Sequence, residues 1–298
     1  MKRFLCAILM VVLCFSSVSA LAELDRNGIP VVKWEFPVAL SYLQSKYVVL
    51  VNENNPLDES FEPDPMVKAK DIKQATNASV YMEEKALDAV KEMFKAASLV
   101  TEYTYVDAKG KQKKAEYPNG MTLFLKSGYR SYGTQATVYD NYLDRNNNKD
   151  DGYVAKPGTS EHQTGLCADI LNREYKERPG MTQDFKWTPE AQWMKENCAK
   201  FGLILRYPEN SEEETGIVFE PWHFRYVGKD AASYIMGRGV TLETFAADAQ
   251  AAIQEFVMAG GSIDEWIEYE EKRLNAPPES FVLEEYDEEG DAEVSLFF

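Results

Sequence analysis

The stretch KPGTSEHQTGLCADI, residues 156–170, holds the features that decide the fold and the site of this chain. It contains His162, one of only two histidines among 298 residues, and Asp169 follows seven positions later. The apolar residues of TGLCADIL, residues 164–171, predict a strand. We therefore expect an imidazole and a carboxylate at the point where a loop enters a strand.

The second histidine, His223, lies in GIVFEPWHFRYVG, residues 216–228, which the apolar pattern predicts to be another strand. Glu220 precedes this histidine by three positions. In a regular strand, residues three apart face opposite sides of the sheet. Pro221 therefore has to mark a bulge or a turn if Glu220 and His223 are to reach one site.

Two imidazoles and one carboxylate meet the ligand requirement of a catalytic zinc site, which keeps a fourth position open. The plainer alternative is that each histidine is a hydrogen-bonded residue of the core or the surface. Two neighbours favour the metal site. Glu220 is a candidate to accept a proton from a metal-bound water, and Arg130, in SGYRSYGTQ (127–135), is a candidate to stabilise an oxyanion.

Helices and strands are interspersed irregularly along the chain, which predicts an α+β fold. Apolar residues recur at intervals of three and four between 81 and 97, as in an amphipathic helix. A second helix is predicted with Thr188 as its cap, Pro189 in its first turn and Gly202 at its end. One or two more helices are predicted over 243–275.

The charge of the chain argues against nucleic acid as a partner. The formal net charge is -17, whereas nucleic-acid binding needs a basic surface. Thirteen of the acidic residues fall within 262–298, against two basic ones. The chain has neither HExxH nor GxSxG, and no Ser stands three positions before a Lys, so serine peptidases of the penicillin-binding type are not supported.

The N-terminus has the pattern of a secretory signal peptide. Lys2 and Arg3 precede the apolar run 4–15, and small residues follow it. The alternative is an uncleaved membrane anchor, since the run is nearly long enough to span a bilayer. Cleavage is the favoured interpretation. No later stretch of the sequence is apolar enough to cross a membrane, so the protein is expected to be exported without a stable span.

Cleavage would remove two of the four cysteines and leave Cys167 and Cys198. A single disulfide and two buried thiols are both open, because the sequence does not fix the separation of the two residues.

Three blocks of the sequence resemble the signature blocks of VanY-type D-alanyl-D-alanine carboxypeptidases. They are SGYRSYGTQ (127–135), KPGTSEHQTGLCADI (156–170) and GIVFEPWHFRYVG (216–228). These carboxypeptidases are zinc enzymes of the Hedgehog/DD-peptidase fold, related to the lysostaphin-like group. The resemblance implies an α+β domain in which a small antiparallel sheet carries the zinc site and helices flank the sheet.

The resemblance also implies roles for individual residues. Its S-x-H-x6-D pattern places zinc on His162 and Asp169, and its E-x-W-H block adds His223. It implies Glu220 as the general base and Arg130 as the group that holds and polarises the scissile carbonyl. Three further positions match the family's substrate pocket; they are Ser131, Gln135 and Ser160.

The sequence departs from the family pattern at Cys167, where the family usually has Ala. On a strand, Cys167 and Asp169 share a face, so a thiolate near the metal is one possibility. A small buried thiol or a pair with Cys198 is the preferred interpretation, because two histidines and an aspartate already suit zinc.

Together these features predict an exported, zinc-dependent D,D-carboxypeptidase of the cell envelope, periplasmic or extracellular. Its partners would be peptidoglycan stem peptides ending in D-Ala, with Glu220 activating a zinc-bound water. An L,D-carboxypeptidase or a peptidoglycan endopeptidase would keep the same site. A non-catalytic, zinc-containing wall-binding module is an alternative of a different class.

The expected domain organisation has five parts. Residues 1–22 form the signal peptide and 23–46 an N-terminal leader. The catalytic domain is expected at 47–245, followed by a helical extension at 246–275 and an acidic, mobile tail at 276–298.

Overall fold

A computed structural model of the chain describes residues 24–25, 28–275, 284–286 and 292–294. The predicted signal peptide and most of the predicted acidic tail lie outside the described residues. Within these four ranges, no helix combines the length and the apolar character that a bilayer crossing requires.

The chain divides into two compact units. The first comprises Gln44–Gln250, and the second comprises the described residues before Gln44 together with those from Ala251 onward.

The described strands are β1 (Met66–Lys68), β2 (Tyr81–Glu83), β3 (Glu102–Val106), β4 (Gln112–Glu116), β5 (Phe124–Ser127), β6 (Cys167–Leu171), β7 (Leu203–Leu205), β8 (His223–Tyr226), β9 (Glu284–Tyr286) and β10 (Ala292–Val294). The described α-helices are α1 (Leu40–Leu43), α2 (Glu84–Ala97), α3 (Tyr132–Arg145), α4 (Pro189–Asn197), α5 (Glu212–Thr215), α6 (Lys229–Arg238), α7 (Leu242–Met258) and α8 (Ile263–Asn275). Helices and strands are thus interspersed, and the predicted α+β class is confirmed.

Four strands of the first unit form an antiparallel sheet in the order β5-β6-β8-β7. The strand predicted over 164–171 is present as β6, and every residue of it is buried. In the pairing of β6 with β8, Asp169 is the direct partner of His223. Directly opposed residues of an antiparallel pair present their side chains on the same face, so the sheet itself brings the carboxylate and the imidazole together.

The helix predicted from the spacing of apolar residues is present as α2, and it buries one face in the core. It begins at Glu84 rather than near Tyr81, because Tyr81–Glu83 pairs with β1. The Glu83 carboxylate caps the helix by accepting a hydrogen bond from the Ala86 amide at 3.1 Å.

The end signals predicted for the second helix are also present. The Thr188 hydroxyl accepts from the Ala191 amide at 3.2 Å, and Pro189 is the first residue of α4. The regular helix ends at Asn197, and a 3-10 turn continues it to Gly202, which has a φ of 77°. Glycine adopts this left-handed conformation without steric cost.

The prediction of a strand over 216–228 is wrong for the first half of that range, since only His223–Tyr226 forms a strand. A turn at Pro221 and Trp222 precedes it, in which the His223 amide donates to the Glu220 carbonyl at 3.2 Å. Proline has no amide hydrogen to give to a strand ladder. The turn that the sequence requires at Pro221 is therefore present.

The second unit contains an aromatic core of its own. The ring centroid of Phe256 lies 5.7 Å from that of Trp34 and 6.0 Å from that of Trp266. The Glu270 carboxylate accepts from the Leu40 amide at 3.0 Å and from the Trp266 indole at 2.8 Å. The predicted helices over 243–275 are confirmed as α7 and α8.

Candidate active site

Three predicted metal ligands meet at one end of the β6–β8 pair. The Oδ2 atom of Asp169 lies 3.4 Å from Nε2 of His162, and its Oδ1 atom lies 3.2 Å from Nδ1 of His223. The two imidazole rings are 5.0 Å apart between centroids and nearly perpendicular. All three side chains are buried.

His162 is supplied by the 3-10 helix Glu161–Thr164, which lies directly before β6. Its Nδ1 atom is 2.6 Å from the carbonyl oxygen of Gly128. Since a carbonyl only accepts, Nδ1 carries the proton and Nε2 offers its lone pair towards Asp169. A Cβ at Gly128 would lie 2.5 Å from the Tyr81 carbonyl oxygen. Only glycine therefore lets the backbone at 128 pass this close to the backbone at Tyr81.

His223 is brought to the site together with Glu220 by the turn at Pro221. The Oε2 atom of Glu220 lies 3.4 Å from Nδ1 of His223. Glu220 therefore reaches the same group of atoms as Asp169, which a regular strand would not permit.

The facing atoms of His162 and Asp169 require a positive charge between them. The lone pair of His162 Nε2 faces the Asp169 carboxylate, and two acceptors at 3.4 Å repel each other unless a positive charge lies between them. Oδ1 of Asp169 is buried and has no hydrogen bond within the described part of the chain. A divalent metal between these atoms would satisfy both, and two imidazoles with a carboxylate suit zinc.

The protonation states at the site fit the same interpretation. Burial lowers the pKa of His162, and the nearby Arg130 guanidinium lowers it further, so its imidazole is neutral at neutral pH. Burial opposes ionisation of Asp169, but the His162 and His223 rings, when they carry positive charge, outweigh burial and hold the pKa of this carboxyl well below its usual range; a bound cation would act in the same direction. A neutral imidazole and an ionised carboxylate are the forms that ligate metals.

Glu220 has the opposite tendency. Burial raises the pKa of its carboxyl well above the usual value and the charge of Asp169 adds to this, while Arg130 opposes it. A carboxylate whose pKa is raised towards neutrality is suited to exchange a proton during a reaction.

Cys167 is a second candidate for the anionic ligand. One ligand atom each from His162, Cys167 and His223 lie within 4.8 Å of one another. Burial raises the pKa of the Cys167 thiol well above its usual value, with Glu161 and Asp169 adding to the effect. Asp169 is therefore the better ligand, because a thiol has to lose its proton before it binds a metal.

Cys167 and Cys198 are both buried free thiols. Of the two alternatives left open by the sequence, the structure thus has the pair of thiols and no bond between Cys167 and Cys198.

The candidate ligands line a cleft of about 350 Å³, together with Glu220, Arg130, Gln135 and Ser160. Nη1 of Arg130 donates to Oε1 of Gln135 at 2.6 Å, and Nε2 of Gln135 donates to the Ala155 carbonyl at 2.6 Å. Gln135 is almost fully buried. It therefore fixes the direction in which the Arg130 guanidinium points into the cleft.

Ser131 lies elsewhere. It is the N-cap of α3, where its hydroxyl accepts from the Thr134 amide at 3.2 Å. It is not among the residues that line the cleft.

The cleft also contains residues that the sequence motifs did not reveal. Tyr153, Met181 and Tyr207 form part of its wall, and the Tyr207 ring lies 5.0 Å from the His223 ring. Glu161 was missed as well, although it stands next to His162 in the sequence. The available signal was Arg206 and Arg225, charged residues in otherwise apolar strand segments, which require a buried counter-charge.

Comparison with known proteins agrees with this geometry. Residues 98–229 match the family described as VanY, D-alanyl-D-alanine carboxypeptidase. The solved structure of the LdcB LD-carboxypeptidase is 35% identical to the chain and superposes with a TM-score of 0.55, over 66% of this chain and 85% of that one. The chain belongs to the VanY D-alanyl-D-alanine carboxypeptidase family. The predicted Hedgehog/DD-peptidase type of fold is confirmed with it.

Two relatives known by sequence are also similar to the chain. YodJ of Bacillus subtilis, a protein named as a carboxypeptidase, is 37% identical over 206 residues, and the match spans 66% of each chain. VanXYC of Enterococcus gallinarum, a bifunctional D-Ala-D-Ala dipeptidase and D-Ala-D-Ala carboxypeptidase, is 29% identical over 202 residues, which are 66% of this chain and 91% of VanXYC. The predicted class of enzyme, a peptidase of the D-alanyl-D-alanine carboxypeptidase type, is confirmed at the level of the family.

Proposed function

We propose that the protein is an exported zinc-dependent D,D-carboxypeptidase that releases the terminal D-Ala of peptidoglycan stem peptides. The observation that carries the proposal is that the Asp169 carboxylate lies within 3.4 Å of both His162 and His223 at the wall of the cleft, with Glu220 also within 3.4 Å of His223. A non-catalytic wall-binding module would have no use for Glu220 and Arg130 at that point.

Zinc would be held by Nε2 of His162, the Asp169 carboxylate and Nδ1 of His223, the atoms that face one another. When bound, it would supply a Lewis acid that polarises the scissile carbonyl and makes a water molecule more acidic. Cys167 would remain a protonated neighbour of the ligands.

The remaining chemistry falls to side chains of this chain. Glu220 would accept a proton from the water whose oxygen attacks the carbonyl carbon of the penultimate residue. The same carboxyl would return the proton to the D-Ala nitrogen as the C–N bond breaks, so that a neutral amine leaves. Arg130, directed by Gln135, would donate to the carbonyl oxygen as negative charge develops on it.

An L,D-carboxypeptidase is the second candidate. It is favoured by the similarity to LdcB, whose structure is that of an LD-carboxypeptidase. The two activities differ in the configuration of the residue before the scissile bond, and both use the same kind of metal site and base.

Defined stem peptides test the proposal. The zinc-loaded protein should release D-Ala from a pentapeptide ending in D-Ala-D-Ala and leave the tetrapeptide product intact, as read by mass spectrometry. Glu220→Gln should lower kcat by about 10²- to 10⁴-fold, whereas Glu177→Gln, an exposed carboxylate, should not. Release from the tetrapeptide alone would favour the L,D activity, and no release from either peptide would contradict both.

Export is the part of the proposal that rests on the N-terminal sequence. Signal peptidase would remove residues 1–22, and the mature enzyme would act in the cell envelope, periplasmic or extracellular. N-terminal sequencing of the protein recovered from envelope and culture fractions would test this. A protein that keeps Lys2 and Arg3 and sediments with membranes would instead support the uncleaved anchor.

The domain boundaries complete the proposal. We place the catalytic domain at 47–245, within the compact unit Gln44–Gln250, with the leader at 23–46 before it. The helical extension at 246–275 and the acidic tail at 276–298 would follow it.

A further inference from the structure

A cluster of buried charges lies behind the His223 ring. Oε1 of Glu161 accepts from Nε of Arg206 at 2.8 Å and from Nη1 of Arg225 at 2.7 Å. The side chains of all three residues are completely buried. Charged groups are found in such a place only where their partners are well fixed, so this carboxylate has a defined orientation.

The second oxygen of the same carboxylate points to the metal site. Oε2 of Glu161 lies 3.9 Å from Nε2 of His223. Both atoms are buried, and neither has a hydrogen-bond partner within the described part of the chain. An acceptor and a potential donor that each lack a partner thus face each other across a gap that a small rotation of the imidazole would close.

We propose that Glu161 is a positioning residue for His223. Its Oε2 atom accepts the hydrogen of His223 Nε2, which fixes the ring in the tautomer whose Nδ1 lone pair faces Asp169. The inference rests on the proposed zinc site, because it assigns Nδ1 to the metal. A carboxylate that holds the far nitrogen of a ligating imidazole orients the ring and makes it more basic.

The two histidines would then be held by different means. The Gly128 carbonyl fixes the tautomer of His162 from Nδ1 and leaves Nε2 for the metal. Glu161 fixes the tautomer of His223 from Nε2 and leaves Nδ1. The opposite choice of nitrogen in the two rings is what allows both lone pairs to face Asp169.

The arginines that hold Glu161 are themselves anchored. Both terminal nitrogens of Arg206 donate to the Glu243 carboxylate, at 2.8 and 2.6 Å. Nη2 of Arg225 donates to the carbonyl oxygens of Tyr47 and Val49, at 3.1 and 2.8 Å. The cluster therefore contains two carboxylates and two guanidiniums, and its charges balance.

A purely structural role for Glu161 makes a different prediction. If its carboxylate served only to neutralise the two arginines, removing its charge would lower stability without changing how the folded protein binds zinc. Glu83 is the matched control, since it is also a buried carboxylate and its contacts are with the Ala86 amide, the Tyr47 hydroxyl and Lys46.

The experiment uses the full mature chain with Zn²⁺ as the probe. Because the chain has only two histidines, long-range ¹H–¹⁵N spectra of the wild type report directly which nitrogen of each ring carries hydrogen and which binds metal. We expect His223 to be metal-bound at Nδ1 and to keep a slowly exchanging, strongly deshielded Nε2 hydrogen. This measurement needs no variant, so it tests the inference even where a variant fails to fold.

The affinity for zinc is then measured by competition with a chromophoric chelator. Glu161→Gln should weaken zinc binding by about 10- to 100-fold and change the absorption spectrum of the Co²⁺-substituted protein. Glu83→Gln should leave both unchanged. His223 metallated at Nε2, or a folded Glu161→Gln protein with wild-type affinity and an unchanged Nε2 hydrogen, would overturn the positioning role.

The experiment distinguishes failure of the proposed zinc site from failure of the role proposed for Glu161. A wild-type protein that binds no zinc would overturn the metal site and this inference together, whereas zinc bound through Nε2 of His223 would overturn only the role of Glu161.

Discussion

Asp169 and His223 are direct partners across the antiparallel β6–β8 pair, and their side chains meet at 3.2 Å. Two of the three proposed ligands are therefore placed by the register of the sheet. The third, His162, comes from the segment immediately before β6. Since a shift of one residue would turn either side chain to the other face, the proposed metal site depends on the register of the sheet.

This coupling predicts that zinc stabilises the fold. A ligand that binds only the native state adds about 4 kcal/mol when its free concentration is a thousand times its Kd. The melting temperature should therefore rise on addition of zinc and fall on addition of a chelator. Asp169→Asn should abolish the rise, because the amide carries no charge.

Cys167→Ala is the matched control, since it removes the competing candidate ligand and leaves Asp169. It should bind one zinc per chain, with the melting temperature responding to zinc as in the wild type. A folded Cys167→Ala protein that no longer binds zinc would make Cys167 the anionic ligand.

The raised pKa of Glu220 predicts the direction of the pH dependence. A general base has to be ionised, and a raised pKa keeps the Glu220 carboxyl protonated to higher pH. The value of kcat/KM should therefore fall as the pH falls, with a midpoint above the value of about 4.3 that is usual for Glu. The residual kcat/KM of Glu220→Gln should show no such fall at low pH. A wild-type kcat/KM whose midpoint lies near the usual pKa of Glu would contradict the prediction.

The sequence predicted well what local signals determine. The cap and the end of α4 follow from Thr188, Pro189 and Gly202, which act on the backbone within a turn of themselves. The proposed metal ligands were chosen from residue types and from spacing within short blocks, and the structure places their side chains close together. The first half of 216–228 was misread because its apolar residues pack as a turn, and apolar character alone does not distinguish a turn from a strand.

The contacts of Glu161 with Arg206 and Arg225 could not be predicted from local sequence signals. Arg206 and Arg225 stand 45 and 64 positions from Glu161. Only the order of strands in the sheet, with β8 between β6 and β7, brings the three charges together. An acidic residue before a histidine is ordinary in a surface loop, so its burial is a property of the fold and not of the motif.

The position of Ser131 leads to a prediction that separates two roles. As the N-cap of α3, its hydroxyl accepts from the Thr134 amide. Ser131→Ala should then cost about 1 kcal/mol of the free energy of unfolding, measured in urea, and leave KM unchanged. A raised KM with unchanged stability would restore Ser131 as a substrate-binding residue.

Gln135 is expected to behave differently from Ser131, because it holds the Arg130 guanidinium at 2.6 Å. Gln135→Ala should lower kcat/KM by about tenfold or more, since losing a hydrogen bond to a charged group costs about 1.5–3 kcal/mol. Steady-state kinetics on the pentapeptide would measure this loss. The control is Gln192→Ala. The side-chain amide of Gln192 forms hydrogen bonds with the backbone of Val106, so its loss should leave kcat/KM at the wild-type value.

The two thiols give a prediction about reactivity. Burial raises the pKa of Cys198 to about 12, and Cys167 is raised in the same direction. At pH 8 only about one Cys198 thiol in ten thousand is then the reactive thiolate. The mature native protein should resist iodoacetamide. After unfolding in urea without reductant it should take up two carbamidomethyl groups, as counted by mass spectrometry. Uptake of none after unfolding would mean that Cys167 and Cys198 are joined in a disulfide, while rapid labelling of the native protein would mean that the thiols are not buried as described.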